Sequence, residues 1–312
     1  MKAVQIQKYG GTDILELAAI DKPRLEGSQI LIEIHAASLN PFDTSLREGR
    51  VKHSIPLSFP AVLGGDLAGV VSEKGKEVTG LEVGDKVYGQ ASIAAGNSGA
   101  FAEYAVTAAA QVAKMPANVS YEEAASLPLV GVSALQALTE HIQLRSGQKI
   151  FIHGGTGGIG TAAIQIAKHL GAYVAASSKG PAEDYLTGLG ADMAINTENE
   201  DFTELLSDYD AVFDTVGRND FTRALSILKR GGVAVSMIAS ADSVKAEELG
   251  VTALTQGTKV NSQKLNELRE LVEESVVKPQ VHKIFPLEQA RQAFEARESG
   301  AVRGKIVLRI RG

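Results

Sequence analysis

The 312-residue sequence contains no cysteine. Disulfides, thiolate nucleophiles, thiolate zinc sites and cysteine-ligated iron–sulfur clusters are excluded together. Basic blocks are also missing and the formal net charge is −6, so the electrostatic footprint of a nucleic-acid partner is not there. No apolar run reaches the roughly 18 residues that mark a membrane-spanning helix. The opening stretch from Met1 to Gly11 alternates polar and apolar residues and lacks the apolar core of a signal peptide. A cytoplasmic protein with no membrane partner is expected. The six histidines, His35, His53, His141, His153, His169 and His282, stand at no metal-ligand spacing, and surface or core roles are expected for them. There are no internal repeats and no low-complexity tracts.

What is present is an ordinary globular composition, 44% apolar and 22% charged, with 32 glycines. The length is about twice that of a usual domain, which points to two domains, each able to bury a core. The first third reads as short strands: Ile30, Ile32 and Ile34 alternate with Leu31, Glu33 and His35, and Leu67 to Val71 and Phe101 to Val106 give further runs. After Pro116 the texture changes. A helix-like stretch opens at Tyr121, and Val132 to His141 continues it, which sets a boundary near Val119.

From Lys149 strands and helices alternate, as βαβ units require. Strands are predicted at 149–153, 173–177, 193–196, 211–215 and 233–239, and helices at 158–170, 183–189, 202–206 and 221–228. A parallel sheet with helices on its faces follows. Beyond it come helices at 265–274 and 287–297 and a last strand at 305–310, which is expected to return to the first domain.

Within the alternating region, the apolar run Ile150-Phe151-Ile152 leads into Gly155-Thr156-Gly157-Gly158-Ile159-Gly160, and Ile159, Ala162, Ala163, Ile166, Ala167 and Leu170 follow at helical spacing. Strand, glycine turn and helix in that order form a dinucleotide-binding, Rossmann-type fingerprint. Gly155 is expected to allow the tight turn, Gly157 to let backbone approach a pyrophosphate, and Gly160 to bring helix and strand together. Free amides at the helix start would hold the anion.

An acidic residue about 20 positions beyond the first glycine usually grips the ribose 2′-hydroxyl of NAD. Here the window reads Ala175-Ala176-Ser177-Ser178-Lys179. It offers hydroxyls and a cation in place of a carboxylate, which favours NADP; the alternative reading of Lys179 is an exposed turn lysine.

With these residues in view, nearly the whole chain resembles the medium-chain dehydrogenase/reductase superfamily, and within it the zinc-independent quinone oxidoreductase group that includes zeta-crystallin. The residues that carry the likeness are Asn40-Pro41-Phe42-Asp43, Gly65 to Val71, Gly84 to Gly89, Gly99 to Tyr104, Ala124 to Pro128, the glycine loop, Asp214 to Gly217 and Gly304 to Leu308. The resemblance implies an α/β protein in two parts. A GroES-like, mostly-β catalytic domain comes from residues 1–119 and 262–312, a doubly wound Rossmann NADP-binding domain from 120–261, and the active site lies in the cleft. It also implies NADPH as cofactor, quinones or α,β-unsaturated carbonyls as substrates, and a homodimer. Dimers in the family commonly form through the edge of the dinucleotide-binding sheet, for which Val251 to Thr255 is a candidate, or else an ordinary edge strand. Zinc-dependent relatives carry Cys where this chain has Asn40 and His where it has Gly65, so no metal is expected.

The same resemblance suggests roles residue by residue. Asn40 is the candidate polar group near nicotinamide or substrate, and Asp43 and Asp66 are assigned to structure. Ser45 stands where many relatives have a proton-donating Tyr or Lys, which leaves solvent as the other proton source. Val216 and Gly217 end a parallel strand and either flank the nicotinamide or form an ordinary turn. Tyr185 lies over the adenosine phosphate or at the core edge; Lys305 is near the cofactor cleft or exposed. Three functions fit: an NADPH-dependent quinone or enone reductase, an enoyl-thioester or 2-alkenal reductase using the same cleft, and a non-catalytic NADPH-binding sensor or structural protein. One prediction comes from the charge pattern alone. Lys179→Ala is expected to raise the NADPH dissociation constant about tenfold, by loss of one charge-assisted contact, while barely changing NADH; equal effects on both cofactors would refute the assignment.

Overall fold

The computed structural model describes residues 1–311. The chain divides into two compact units: residues 1–129, 260–274 and 279–312 form the first, and residues 130–259 with 275–278 the second. The border falls inside the helix Pro128–Gln136. The short helix Tyr121–Ala125 belongs to the first unit, where the Tyr121 ring stacks on His35 with centroids 4.1 Å apart.

In chain order the first unit supplies β1 (Lys2–Ile6), β2 (Glu16–Ala19), β3 (Gln29–Ser38), β4 (Ala61–Val62), β5 (Asp66–Lys74), β6 (Lys86–Gln90), β7 (Tyr104–Ala108) and β8 (Val112–Lys114). The second supplies β9 (Lys149–His153), β10 (Tyr173–Ser178), β11 (Met193–Asn196), β12 (Tyr209–Asp214), β13 (Leu228–Ser236) and β14 (Thr252–Thr255). The chain then returns to the first unit with β15 (Val281–Pro286) and β16 (Lys305–Arg309).

The first unit holds a three-stranded sheet ordered β2-β1-β4 and a larger sheet ordered β15-β16-β3-β5-β6-β8, with β7 also paired to β3. Ile30, Ile32 and Ile34 point to one face of β3 and enter a core with Leu67, Val71, Phe101 and Phe294. The C-terminal return is covalently distant but physically central, because β16 pairs antiparallel with β3. Register then sets up a site: Ser38 on β3 lies opposite Asp66 on β5, and Asp66 lies opposite Gln90 on β6.

The second unit is one parallel sheet ordered β11-β10-β9-β12-β13-β14. Counted from its own first strand this is the order 3-2-1-4-5-6 of the doubly wound Rossmann fold, whose ligands bind at the carboxyl ends of the strands where the winding reverses. That switch point lies between β9 and β12. Phe151, Val212 and Phe221 centre the core on one face, and the helix Gly158–His169 packs Ala163, Ile164, Ile166 and Ala167 on the sheet.

Several predicted ends shift, each for a local reason. The run Val233 to Ala239 reads as strand throughout, yet β13 stops at Ser236, whose Oγ accepts the amides of Ile238 and Ala239 at 3.1 and 2.9 Å and turns the chain. Phe101 reads as strand but precedes β7; it fills the core from a loop tied by its own amide to Leu63 O and by its carbonyl to Val4 N. The helix predicted over 132–141 runs from Pro128 to Gln136 and widens to a π turn at Ala137–His141.

Tyr88 shows how the return segment is tied in. Its ring is fully buried and its hydroxyl donates to Leu265 O at 2.5 Å, on the helix Ser262–Glu273. Burial pushes the phenol well above its ordinary range. Tyr88→Phe is expected to cost about 1 kcal/mol, the net worth of one hydrogen bond, seen as a lower urea midpoint at unchanged slope.

Candidate functional site

The glycine loop joins β9 to the helix Gly158–His169 at the switch point. Its left-handed turn is made by Gly154, at φ +88°. This corrects the expected role of Gly155, which is small for packing: a Cβ there would stand 2.8 Å from Leu186 Cδ2 and 3.0 Å from Ala176 Cβ. Gly160 lets the helix sit flush on the loop, since a Cβ would meet Gly154 O at 2.2 Å. Gly157 is different. A Cβ there would meet only Gly154 O, at an ordinary 3.5 Å, so internal packing does not demand a glycine at this position.

Gly157 is also the N-cap and brings no capping side chain. The amides of Gly158, Ile159 and Gly160 occupy the first turn, where a helix has no acceptor of its own. Thr156, Gly157, Gly158 and Ile159 are half-buried, so the loop surface remains open. Backbone of this kind suits an anion.

At the end of β10 the neighbouring serines are turned inward. Ser177 is buried, with its hydroxyl 2.6 Å from His153 Nδ1 and its carbonyl accepting Gly155 N at 2.7 Å. Ser178 donates to Gly180 O at 2.8 Å, which closes the next turn. Lys179 is exposed and Tyr185 half-buried. At the end of β12, Asp214 is fully buried and its carboxylate accepts the amides of Val216 and Gly217 and the Ser236 hydroxyl, the last at 2.6 Å. That clasp leaves Val216 exposed and holds Gly217 at φ +78°.

In the first unit a second polar cluster forms around Asn40, the residue that precedes the helix Pro41–Arg47. Asn40 Nδ2 donates to Asp66 Oδ2 at 2.9 Å, and its backbone amide donates to Asp43 Oδ2 at 2.7 Å. Lys305 Nζ donates to Leu39 O at 2.8 Å and to Asn40 Oδ1, and stands 3.7 Å from Asp66 Oδ2. Asp66 Oδ1 accepts Gln90 Nε2 at 2.8 Å and Leu129 N at 3.2 Å. All four of Asn40, Asp43, Asp66 and Lys305 are buried. Lys305 is therefore a buried member of this cluster and not an exposed lysine.

Burial lowers the Lys305 ammonium's hold on its proton, against the pull of Asp66 and Asp43. The Asp43 carboxyl is pushed up to about 7, chiefly by burial and also by Asp66, against the Asn40 amide, Lys305 and Arg297. Ser45 stands outside the cluster, half-buried, its hydroxyl donated back to Pro41 O at 3.3 Å. Sequence reasoning missed Gln90. Its only signal is the β5/β6 register that places it opposite Asp66.

Two family models match the chain, the alcohol dehydrogenase GroES-like domain over residues 26–117 and the zinc-binding dehydrogenase model over 189–308. The 2-methylene-furan-3-one reductase of Solanum lycopersicum is 36% identical over 99% of this chain and 79% of its own length. The chloroplastic NADPH-dependent alkenal/one oxidoreductase of Arabidopsis thaliana is 34% identical with the same coverage. The quinone oxidoreductase from Coxiella burnetii superposes with a TM-score of 0.92 at 34% identity, over 100% of this chain and 99% of that one. This chain belongs to the zinc-independent, quinone oxidoreductase-like group of the medium-chain dehydrogenases/reductases.

A further member, the Escherichia coli quinone oxidoreductase solved with NADPH, superposes at a TM-score of 0.89 and 27% identity over 99% of this chain and 100% of that one. The second family model is described as zinc-binding, whereas this member of the superfamily has no cysteine to serve as a ligand. Among the described residues no group of three or more His, Asp or Glu side chains is arranged to hold a metal, and no helix is long and apolar enough to cross a membrane.

A carboxyl whose folded-state pKa is raised contributes stability that is complete below its unfolded value and is lost as pH rises through the folded value. Asp43 therefore acts against folding above about pH 7. Asp43→Asn, which keeps an acceptor for the Asn40 amide, is expected to flatten the fall in unfolding free energy between about pH 4 and 7, bounded below by the ordinary carboxyl pKa. Urea denaturation across that range is the check; parallel profiles for both proteins would contradict it.

Proposed function

We propose that this protein is an NADPH-dependent reductase of quinones and α,β-unsaturated carbonyls. The observation that carries the reading is the open glycine loop: Gly157 has no packing reason to lack a Cβ, and three first-turn amides lie beside it. The relatives named for alkenal, furanone and quinone reduction support the substrate class. Bound at this loop, NADPH supplies a hydride for the electron-poor carbon of the acceptor.

The chain's own residues bind and orient. The loop of Gly155, Thr156, Gly157, Gly158, Ile159 and Gly160 cradles the pyrophosphate on the first-turn amides of Gly158, Ile159 and Gly160, and Lys179, exposed at the end of β10, meets the 2′-phosphate. Ser177 and Ser178 act as the frame of that corner, in keeping with their inward hydroxyls. Tyr185 borders the adenosine phosphate, and Val216 and Gly217 border the nicotinamide, in keeping with the Asp214 clasp that fixes their amides. Asn40 is the polar group at the reacting end. Lys305 and Asp66 hold its side-chain amide from both sides, which fixes its rotamer and the direction of its remaining donor. Preorganised donors of this kind stabilise an oxyanion without reorganising during the reaction. Ser45 spends its proton on Pro41 O, so solvent is the proposed proton source for the enolate or hydroquinone oxygen.

The proposed setting is the cytoplasm and the proposed assembly a homodimer. The assembly reading rests on β14, which pairs on one side only and leaves Leu254 exposed at the sheet edge.

The test is calorimetric titration with NADPH followed by a panel of quinones, enones, 2-alkenals and enoyl thioesters, monitored by nicotinamide absorbance. Turnover of quinones or enones, unaffected by chelators, is expected; tight binding with no acceptor consumed would instead mark a sensor or structural protein. Gly157→Ala is expected to fold with unchanged thermal stability, because φ −75°, ψ 165° suits alanine, and to weaken NADPH by about tenfold or more, because the new methyl stands where backbone must approach the pyrophosphate. Unchanged affinity in that variant would sink the loop as the cofactor site.

A further inference from the structure

The proposed function leaves one buried titratable group unused. His153 is the last residue of β9 and directly precedes the glycine loop, with a side chain only 4% exposed. Its Nδ1 lies 2.6 Å from Ser177 Oγ, and that same oxygen accepts the Gly154 amide at 3.2 Å. Its Nε2 is buried without a hydrogen-bond partner and faces Asp220 Oδ2 at 3.6 Å. The rings of Phe151 and Phe202 stand 5.6 and 5.4 Å away.

A carboxylate facing Nε2 favours the ring proton on that nitrogen, so that Nδ1 accepts a hydrogen bond donated by the Ser177 hydroxyl. The Ser177 lone pair is thereby aimed at Gly154. Burial lowers the imidazole's proton affinity against the carboxylates of Asp214 and Asp220, with Arg223 acting in the same direction as burial.

Ser177 consequently holds two successive amides at the head of the loop, Gly154 N through its hydroxyl and Gly155 N through its carbonyl at 2.7 Å. Both amides point inward. Gly154 O then accepts Gly157 N at 3.1 Å and lies against Gly160, so the orientation of the first peptides passes directly to those of the cradle. We infer that His153 is a positioning residue for the dinucleotide, setting the Ser177 hydroxyl so that the Gly154 amide, and through it the pyrophosphate cradle, is held ready for the cofactor. The inference rests on the reading of the loop as the NADPH site.

The test uses the two amides that imitate histidine selectively: the Oδ1 of asparagine takes the place of Nδ1, whereas the terminal atoms of glutamine reach the place of Nε2. His153→Asn is expected to bind NADPH within about threefold of the wild-type protein. His153→Gln and Ser177→Ala are each expected to weaken it about tenfold, the worth of one hydrogen bond. The double variant of His153→Gln with Ser177→Ala is expected to lose no more than either alone, as a shared chain requires. Thermal melts without cofactor separate these losses from misfolding, which would lower the melting temperature of both His153 variants alike. Equal affinities in the Asn and Gln variants, or additive losses in the double variant, overturn the proposal. If His153→Gln does not fold, Ser177→Ala decides, and wild-type affinity there overturns it. No heat from wild-type protein with NADPH would overturn the reading of the loop itself, and the positioning role with it.

Discussion

The approach of Gly160 to the Gly154 carbonyl is the contact on which the second unit depends. A side chain at Gly160 would stand 2.2 Å from that oxygen, so only glycine lets the helix begin flush against the end of β9. Once it does, the first-turn amides of Gly158, Ile159 and Gly160 lie at the carboxyl edge of the sheet, between the strands where the winding reverses. Three neighbouring side chains consume their polar groups internally. Asp214 is committed to the turn that follows it, Ser178 to Gly180, and Ser177 to His153 and Gly154. The corner thus has a rigid frame, with the first-turn backbone amides and the exposed Lys179 at its surface.

The first unit uses the same economy with charges. Asp66 and Lys305 are buried and stand 3.7 Å apart, with Asn40 bonded to both. A buried ion pair of this sort is weak evidence for stability, because desolvation offsets the attraction. Its value lies in direction: Asn40 can turn neither its oxygen nor its nitrogen without abandoning a charged partner. Asp43 completes the arrangement at the backbone amide of the same residue. The raised pKa of Asp43 is the cost of placing a second carboxyl in a dry pocket already holding one.

Much of this was legible beforehand. The alternation of strand and helix from Lys149 onward specifies a parallel sheet, because apolar spacing near two and near 3.6 residues is a property of the chain itself. The glycine loop, the zinc-free composition and the cofactor class follow from residue types at fixed spacing. Errors arose where a polar side chain decides a local ending. Ser236 cuts β13 short with its own hydroxyl, and nothing in the apolar run Val233 to Ala239 announces it. The role assigned to Gly155 was misplaced by one residue, since the backbone strain falls at Gly154 and the crowding at Gly155 comes from Leu186, far along the chain.

What the sequence determined by itself is therefore the alternation of strands and helices from Lys149 onward, the position of the glycine loop between a strand and a helix, and that no thiolate metal site is possible. What only tertiary structure decided is which polar groups are already spent. Gln90 meets Asp66 because β5 and β6 pair in one register, Lys305 meets Asn40 because the last strand pairs with β3, and Ser177 meets His153 across neighbouring strands. A hydrogen bond joins atoms within about 3 Å, and residues separated by 265 positions come that close only through pairing of the strands that carry them.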